Sequence, residues 1–236
     1  MSVAPDTIDH YRSLAVQAKD RLEGASAESV IGWAVETFGD GFCITASMAD
    51  AVLIDIASRV ARDIDVIFLD TGYHFSETLE TRDTVAKRYP VQVHTILPRQ
   101  TVAEQDATFG ERLYERDPDA CCSLRKVEPL ARALGSYQAW ASGIRRDEAE
   151  SRKHVGVVEW DQKRSMVKIN PIASWTQEQV DEYIIANDVE VNPLIYDGYP
   201  SIGCATCTLR VRPGEDARSG RWANSRKLEC GLHLAQ

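Results

Sequence analysis

Apolar positions recur at helical spacing near the start of the chain, where Ile31, Ala34, Val35 and Phe38 fall on one face. This periodicity predicts amphipathic helices over about 8–22 and 26–38. The pattern then changes to short apolar runs rich in β-formers: GFCITA (41–46), DVIFLD (65–70), VQVHTI (91–96) and QAWASG (138–143). Between them, MADAVLIDIASRVAR (48–62), SETLETRDTVAKRY (76–89) and SLRKVEPLARAL (123–134) read as helices. Strands alternating with helices predict an α/β fold, a mainly parallel sheet flanked by helices. VGVVEWD (155–161) and SMVKIN (165–170) suggest a peripheral hairpin. SWTQEQVDEYIIAND (174–188) reads as a helix with Thr176 and Gln179 at capping-box spacing. From Asn192 onward Pro, Gly and Arg accumulate and periodicity fades, which predicts a loop-like tail. No internal repeat is visible.

At 236 residues and 44% hydrophobic, the chain can build one α/β domain with a functional tail. The opening MSVAPDTIDHYRSL has no basic start followed by an apolar run, and no stretch approaches the roughly 20 apolar residues of a membrane span. A cytoplasmic protein is expected, without membrane contact. The net charge of −9 is unevenly spread: residues 201–236 carry six Lys and Arg against three Asp and Glu. A basic tail on an acidic body suits a small anion better than a nucleic acid, although a solvated charge run is the plainer reading.

Six cysteines in a chain of this kind point to metal binding or catalysis rather than disulfides. Cys121 and Cys122 are adjacent, and Cys204 and Cys207 form a C-x-x-C pair 82 positions after Cys122. Four thiolates suit a structural zinc or an iron-sulfur cluster. Vicinal side chains diverge and reach one zinc poorly, whereas a cubane offers separate irons, so the spacing favours 4Fe-4S. Buried small residues or a redox-active C-x-x-C are the alternatives. If Cys122 precedes or begins the helix 123–134, the positive helix N-terminus would face the thiolates. Lys126, four residues on, would share that face, while Arg125 would project toward the surface. Cys230 in LECGLH stands apart. It reads either as an inconsequential surface thiol or as a nucleophile on a mobile arm beside Arg226 and Lys227. Cys43, inside an apolar strand, reads as core.

Three strand ends carry ligand-binding chemistry. ITASMAD (44–50) brings small residues around Ser47, FLDTGYHF (68–75) brings Asp70, Thr71 and Gly72, and SGIRRDEAESRK (142–153) brings Arg145, Arg146 and Arg152.

With FLDTG (68–72), CCSLRKVEPL (121–130), SGIRRDE (142–148), WTQEQVDEYI (175–184), GCATCT (203–208), RSGRW (218–222) and ECGLH (229–233), the chain resembles the assimilatory adenylyl-sulfate and phosphoadenylyl-sulfate reductases. The resemblance covers nearly everything from about residue 40. It implies an adenine-nucleotide α-hydrolase-like fold, with residues 1–200 as the nucleotide-binding domain and 201–236 as the cluster-ligating and catalytic segment. Ser47, Leu69, Thr71 and Gly143 would line the adenosine pocket. Arg152, Arg218 and Arg221 would hold the phosphosulfate, with Lys153 as the alternative to Arg152, and Lys126 would lie between substrate and cluster. Cys121, Cys122, Cys204 and Cys207 would be the metal ligands and Cys230 the catalytic thiol. Relatives that use the 3′-phosphorylated nucleotide usually lack both cysteine pairs, so the resemblance favours adenylyl sulfate, with phosphoadenylyl-sulfate or dual use as the alternative. It also implies thioredoxin or a related dithiol protein as reductant. A non-enzymatic iron-sulfur sensor is the contrasting reading, and nothing in the sequence excludes a homo-oligomer.

Overall fold

Two helices open the chain, α1 (Pro5–Leu22) and α2 (Ala27–Phe38), the second capped by Ser26 accepting from the Ser29 amide. The computed structural model describes residues 5–223, 225, 227 and 229–232. The alternation that follows is β1 (Phe42–Thr45), α3 (Val52–Val60), β2 (Ile64–Leu69), α4 (Ser76–Arg88) and β3 (Val91–Ile96). Helix α3 starts four residues later than its apolar pattern predicts. Met48 has φ +61, buries its side chain and breaks the helical path, and the Asp50 carboxylate accepts from the Val52 amide at 3.0 Å. Residues 46–51 are therefore a loop.

Between β3 and the first cysteine pair lie α5 (Val102–Phe109) and the short α6 (Leu113–Arg116), neither visible in the hydrophobic pattern. Helix α7 (Pro118–Cys122) then runs through a π turn (Ser123–Val127) into α8 (Glu128–Ala133). The helix containing the cysteine pair thus begins at Pro118, not at 123. Asp117 caps it by accepting from the Ala120 amide, and the Cys121 amide is already bonded to the Asp117 carbonyl. The condition under which a helix N-terminus would face the thiols, Cys122 preceding or beginning the helix, is not met, because both cysteines sit inside the helix.

Strands β4 (Ala139–Ser142), β5 (Val158–Asp161) and β6 (Met166–Ile169) and helix α9 (Gln177–Asn187) complete the regular elements. The capping box at Thr176 and Gln179 forms as its spacing predicts. One six-stranded sheet runs β3-β2-β1-β4-β6-β5, parallel except for the β5–β6 pair. The expected peripheral hairpin is only half peripheral: β6 is buried along its whole length and pairs with β4, leaving β5 at the edge.

Side-chain alternation divides the sheet into two faces. Phe42, Ile44, Val66, Phe68, Ala139, Ala141, Val167 and Ile169 point into the large core under α1, α2, α3 and α9. Cys43, Ile67, Trp140 and Met166 point the other way, against Leu130 of α8, Leu134 and, from the tail, Leu232. Cys43 is fully buried, as its strand setting predicts. Because β2 and β4 flank β1, the direction of winding reverses there, and the carboxyl ends of these strands open onto a crevice.

Candidate active site

The four paired cysteines gather at one end of the crevice. Cys121 and Cys122 are consecutive helical residues, about 100° apart around the axis, yet both border one small gap that Cys204, Cys207, Tyr73, Arg125, Lys126 and Trp222 also line. The C-x-x-C turn is held from both sides. The Ala205 amide donates to the Tyr73 carbonyl at 2.7 Å, and the Trp222 amide to the Cys207 carbonyl at 3.0 Å. Thr71 Oγ1 lies 3.3 Å from Cys204 Sγ, so the end of β2 touches the cysteine site directly. Burial pushes the Cys121 thiol up to about 12 and the Cys122 thiol to about 11, and raises Cys207.

Two cations stand beside these thiols. Arg125 is 3% exposed, which corrects the expectation of a surface residue. Its guanidinium donates to the carbonyls of Thr71 and Gln100 and to Gln105 Oε1, and lies 5.1 Å from the Tyr73 ring centre. Lys126 faces Cys122, Cys204 and Cys230; burial opposes its charge, but the sulfurs outweigh burial and raise its pKa. Among the described residues neither cation forms an ion pair with a carboxylate. Four thiols, three buried and Cys207 half-buried, next to two cations without carboxylate partners suit an anionic, thiolate-ligated group. Among the described residues no three His, Cys, Asp or Glu side chains are gathered as for a single metal ion.

The crevice itself is about 670 Å³. Ser47 lines it after β1, Leu69 and Thr71 after β2, and Gly143 after β4; Lys126, Arg152, Arg218, Arg221 and Cys230 line it as well. Ser47 and Gly143 are exposed, while Thr71 is fully buried. Buried Asn192 braces the β1 loop, donating to the Met48 carbonyl and to Thr78 Oγ1, both at 3.1 Å.

The other charged residues after β4 separate. Arg145 is buried against the crevice; its Nη1 makes no hydrogen bond among the described residues and lies 3.8 Å from Asp147 Oδ2. Arg146 instead turns outward to Glu23, and exposed Lys153 pairs with Glu150. Arg221 lies 4.5 Å from the Trp222 ring centre and donates to Ser201 Oγ and the Ile202 carbonyl. A Cβ on Gly203 would come within 2.3 Å of its Nη2, so the glycine makes room for the guanidinium. Burial, and then the neighbouring Arg218, lower the Arg221 pKa. Asp70 caps the turn at Gly72 by accepting from its amide at 2.9 Å. Lys227 pairs with Asp119, whereas Arg226 and His233 lie outside the described residues.

Sequence reasoning missed Glu229, which is buried between Arg152 and Arg218. Burial raises its pKa, but the hydrogen bonds and charge of Arg152, with Arg218, hold it below the ordinary carboxylate value. It also missed His74, whose Nε2 lies 2.8 Å from the Leu69 carbonyl on the crevice wall. The signal for Glu229 was its place beside Cys230, and for His74 its place in the strand-end segment FLDTGYHF.

Residues 42–210 match the family model described as phosphoadenosine phosphosulfate reductase domain. A Streptomyces coelicolor protein named adenosine 5′-phosphosulfate reductase is 56% identical, over 96% of this chain and 96% of its own. A Mycolicibacterium smegmatis protein of the same name is 51% identical over 99% of both chains. Among solved structures, phosphoadenylyl-sulfate reductase from Candida auris in a phosphate complex superposes with a TM-score of 0.67 at 30% identity, covering 89% of this chain and 99% of that one. The adenine-nucleotide α-hydrolase-like architecture inferred from the motifs is thus the fold of this chain, and the chain belongs to the phosphoadenosine phosphosulfate reductase domain family.

Proposed function

We propose that this protein reduces adenosine 5′-phosphosulfate to sulfite and AMP in the cytoplasm, with a dithiol protein of the thioredoxin type as electron donor. The observation that carries the reading is the meeting of Cys230 with Lys126, Arg152, Arg218 and Arg221 in one crevice at the strand ends. Residues 1–200 supply the nucleotide end, with Ser47, Leu69, Thr71 and Gly143 around adenosine. Residues 201–236 supply the C-x-x-C pair, two arginines and the thiol.

Cationic side chains hold the phosphosulfate and stabilise the charge that gathers on phosphate as it leaves. The Cys230 thiolate attacks sulfur; the new S–S bond forms as the sulfur–oxygen bond to phosphate breaks, and its electron pair departs with AMP. The enzyme is left as S-sulfocysteine. A thiolate of the dithiol protein then attacks Cys230 Sγ and expels sulfite, and its second thiol resolves the mixed disulfide. The dithiol thereby supplies both electrons and regenerates Cys230.

Cys121, Cys122, Cys204 and Cys207 would hold a 4Fe-4S cluster, the form of thiolate-ligated group that two adjacent and two C-x-x-C cysteines best serve. When bound, it supplies an anionic field beside Arg125 and Lys126 and carries no electrons in the steps above. The relatives' names and the two cysteine pairs together favour adenosine 5′-phosphosulfate over its 3′-phosphorylated form.

The test uses anaerobically purified protein with adenosine 5′-phosphosulfate and thioredoxin. Wild type is expected to release sulfite and to prefer this nucleotide to the 3′-phosphorylated one in parallel kinetics. Cys230→Ser is expected to release none while still binding AMP. Sulfite at the normal rate from the variant would sink the mechanism, and a colourless protein without iron and sulfide would remove the cluster.

A further inference from the structure

The tail carries more than the reactive thiol. On one side of Cys230, the Glu229 carboxylate meets Arg152 fork to fork. Arg152 Nε donates to Oε1 at 2.7 Å and Nη2 to Oε2 at 2.9 Å. Arg218 Nη2 adds a third bond to Oε2 at 3.1 Å, and Ser151 Oγ a fourth to Oε1 at 3.0 Å. Paired guanidinium–carboxylate bonds of this kind are strong and directional, and the Glu229 side chain is only 6% exposed.

On the other side, Gly231 has φ +80, a left-handed turn that suits glycine. The turn sends Leu232 into the apolar cluster on the second face of the sheet, with Ile67, Leu130, Leu134, Trp140 and Met166. That face has little helical cover besides α8, so a tail leucine fills space the core would otherwise leave open.

We infer that Glu229 and Leu232 are positioning residues that dock the tail at two points, an ionic latch on Arg152 and Arg218 and an apolar peg beside Trp140, and so hold Cys230 over the crevice. The span between the two points is three residues, too short to let the thiol wander while both are seated. The site's charges allow the latch to stay closed over an anion, because Lys126 and Arg221 line the same crevice and neither makes an ion pair among the described residues. Arg152 is on this reading a partner of the tail as much as of the substrate. The inference rests on the reading of Cys230 as the thiol of the reaction, but its test does not.

Iodoacetamide labelling of Cys230 in the anaerobic, cluster-loaded protein reads tail docking directly, since tryptic peptide 228–236 contains no other cysteine. The pH-independent limiting rate is compared, which a change in thiol pKa moves only through the weaker dependence of thiolate nucleophilicity on pKa. Glu229→Gln and Leu232→Ala, one ionic and one purely apolar change, are each expected to raise that rate by about tenfold, the order that losing one such anchor gives. Both are expected to lower kcat with the KM for nucleotide much less affected, and to melt within about 5 °C of wild type. Labelling unchanged in either variant would overturn the two-point dock. So would Glu229→Gln with a lower KM and unchanged kcat, which would make the carboxylate a competitor of substrate instead of a latch. Cys230→Ser retaining activity would undo the proposed chemistry but leave the labelling result standing.

Discussion

Arg125 and His74 show how much of the site lies in side chains whose role depends on folded surroundings. From sequence, Arg125 sits a quarter-turn from Lys126 and reads as surface. The structure buries it under the end of β2, where its guanidinium satisfies three oxygens of other segments. No local pattern encodes that, because its partners are 20 to 54 residues away. The meeting of the four paired cysteines, by contrast, was legible because they stand in two recognisable pairs. His74 carries a pH prediction. Its ring stacks near Phe68 at 5.0 Å, and with Nε2–H donated to the Leu69 carbonyl, Nδ1 is buried without a partner among the described residues. Burial therefore pushes its pKa below the ordinary 6.5, the backbone bond opposing and Lys126 assisting. The unfolded chain takes up the proton first as pH falls. Stability present above about pH 6.5 should thus be lost on acidification through that value. Urea melts at pH 7.5 and 5.5 should show a smaller acid loss in His74→Gln than in wild type; equal losses would show that His74 is not the group responsible.

At the scale of elements, β1 to β4 were legible because they are short apolar runs between amphipathic helices, and the structure keeps them within a residue or two of the expected bounds. Helix α5 was not, because its one buried residue is Gln105 and it has no apolar stripe; a Thr101–Glu104 capping box holds its start instead. Helix α7 was hidden for a related reason: Pro118 and Asp119 look like loop, although proline suits the first helical turn. Its junction with α8 through a π turn is also invisible to 3.6-residue periodicity, and it re-aims Arg125 and Lys126 relative to the cysteines. Asp117 is the cap of this whole segment. Asp117→Ala should cost about 1 kcal/mol of stability, as loss of an N-cap bond does elsewhere. The same change should leave AMP binding intact, because Asp117 lies outside the crevice lining. A urea melt with AMP titration checks both, and a loss of binding with unchanged stability would contradict the assignment.

For the whole molecule, the decisive feature of the proposed function is that binding and chemistry come from different stretches of one chain. The switch of winding at β1 opens a crevice whose proposed nucleotide end is built from loops after β1, β2 and β4. The cysteine gap is closed by residues up to Trp222, which is buried and joined to the C-x-x-C turn. Beyond Trp222, the described residues that reach the crevice are Glu229, Cys230 and Leu232. A chain ending at Trp222 should therefore keep the large core, the second core apart from Leu232, all four paired cysteines and the proposed adenosine walls. It loses the thiol and the carboxylate that neutralises part of the charge on Arg152 and Arg218. Arg152, with Glu148 still beside it, and Arg218 are then less compensated and favour an anion, so AMP should bind at least as tightly as to the full chain, and more so at low salt, where charges are less screened. Sulfite release should vanish. Calorimetric titration with AMP at two salt concentrations, beside the sulfite assay, separates the two functions. Weakened AMP binding in the shortened chain would mean that the tail is part of the nucleotide pocket, and that the division at the strand ends is drawn in the wrong place.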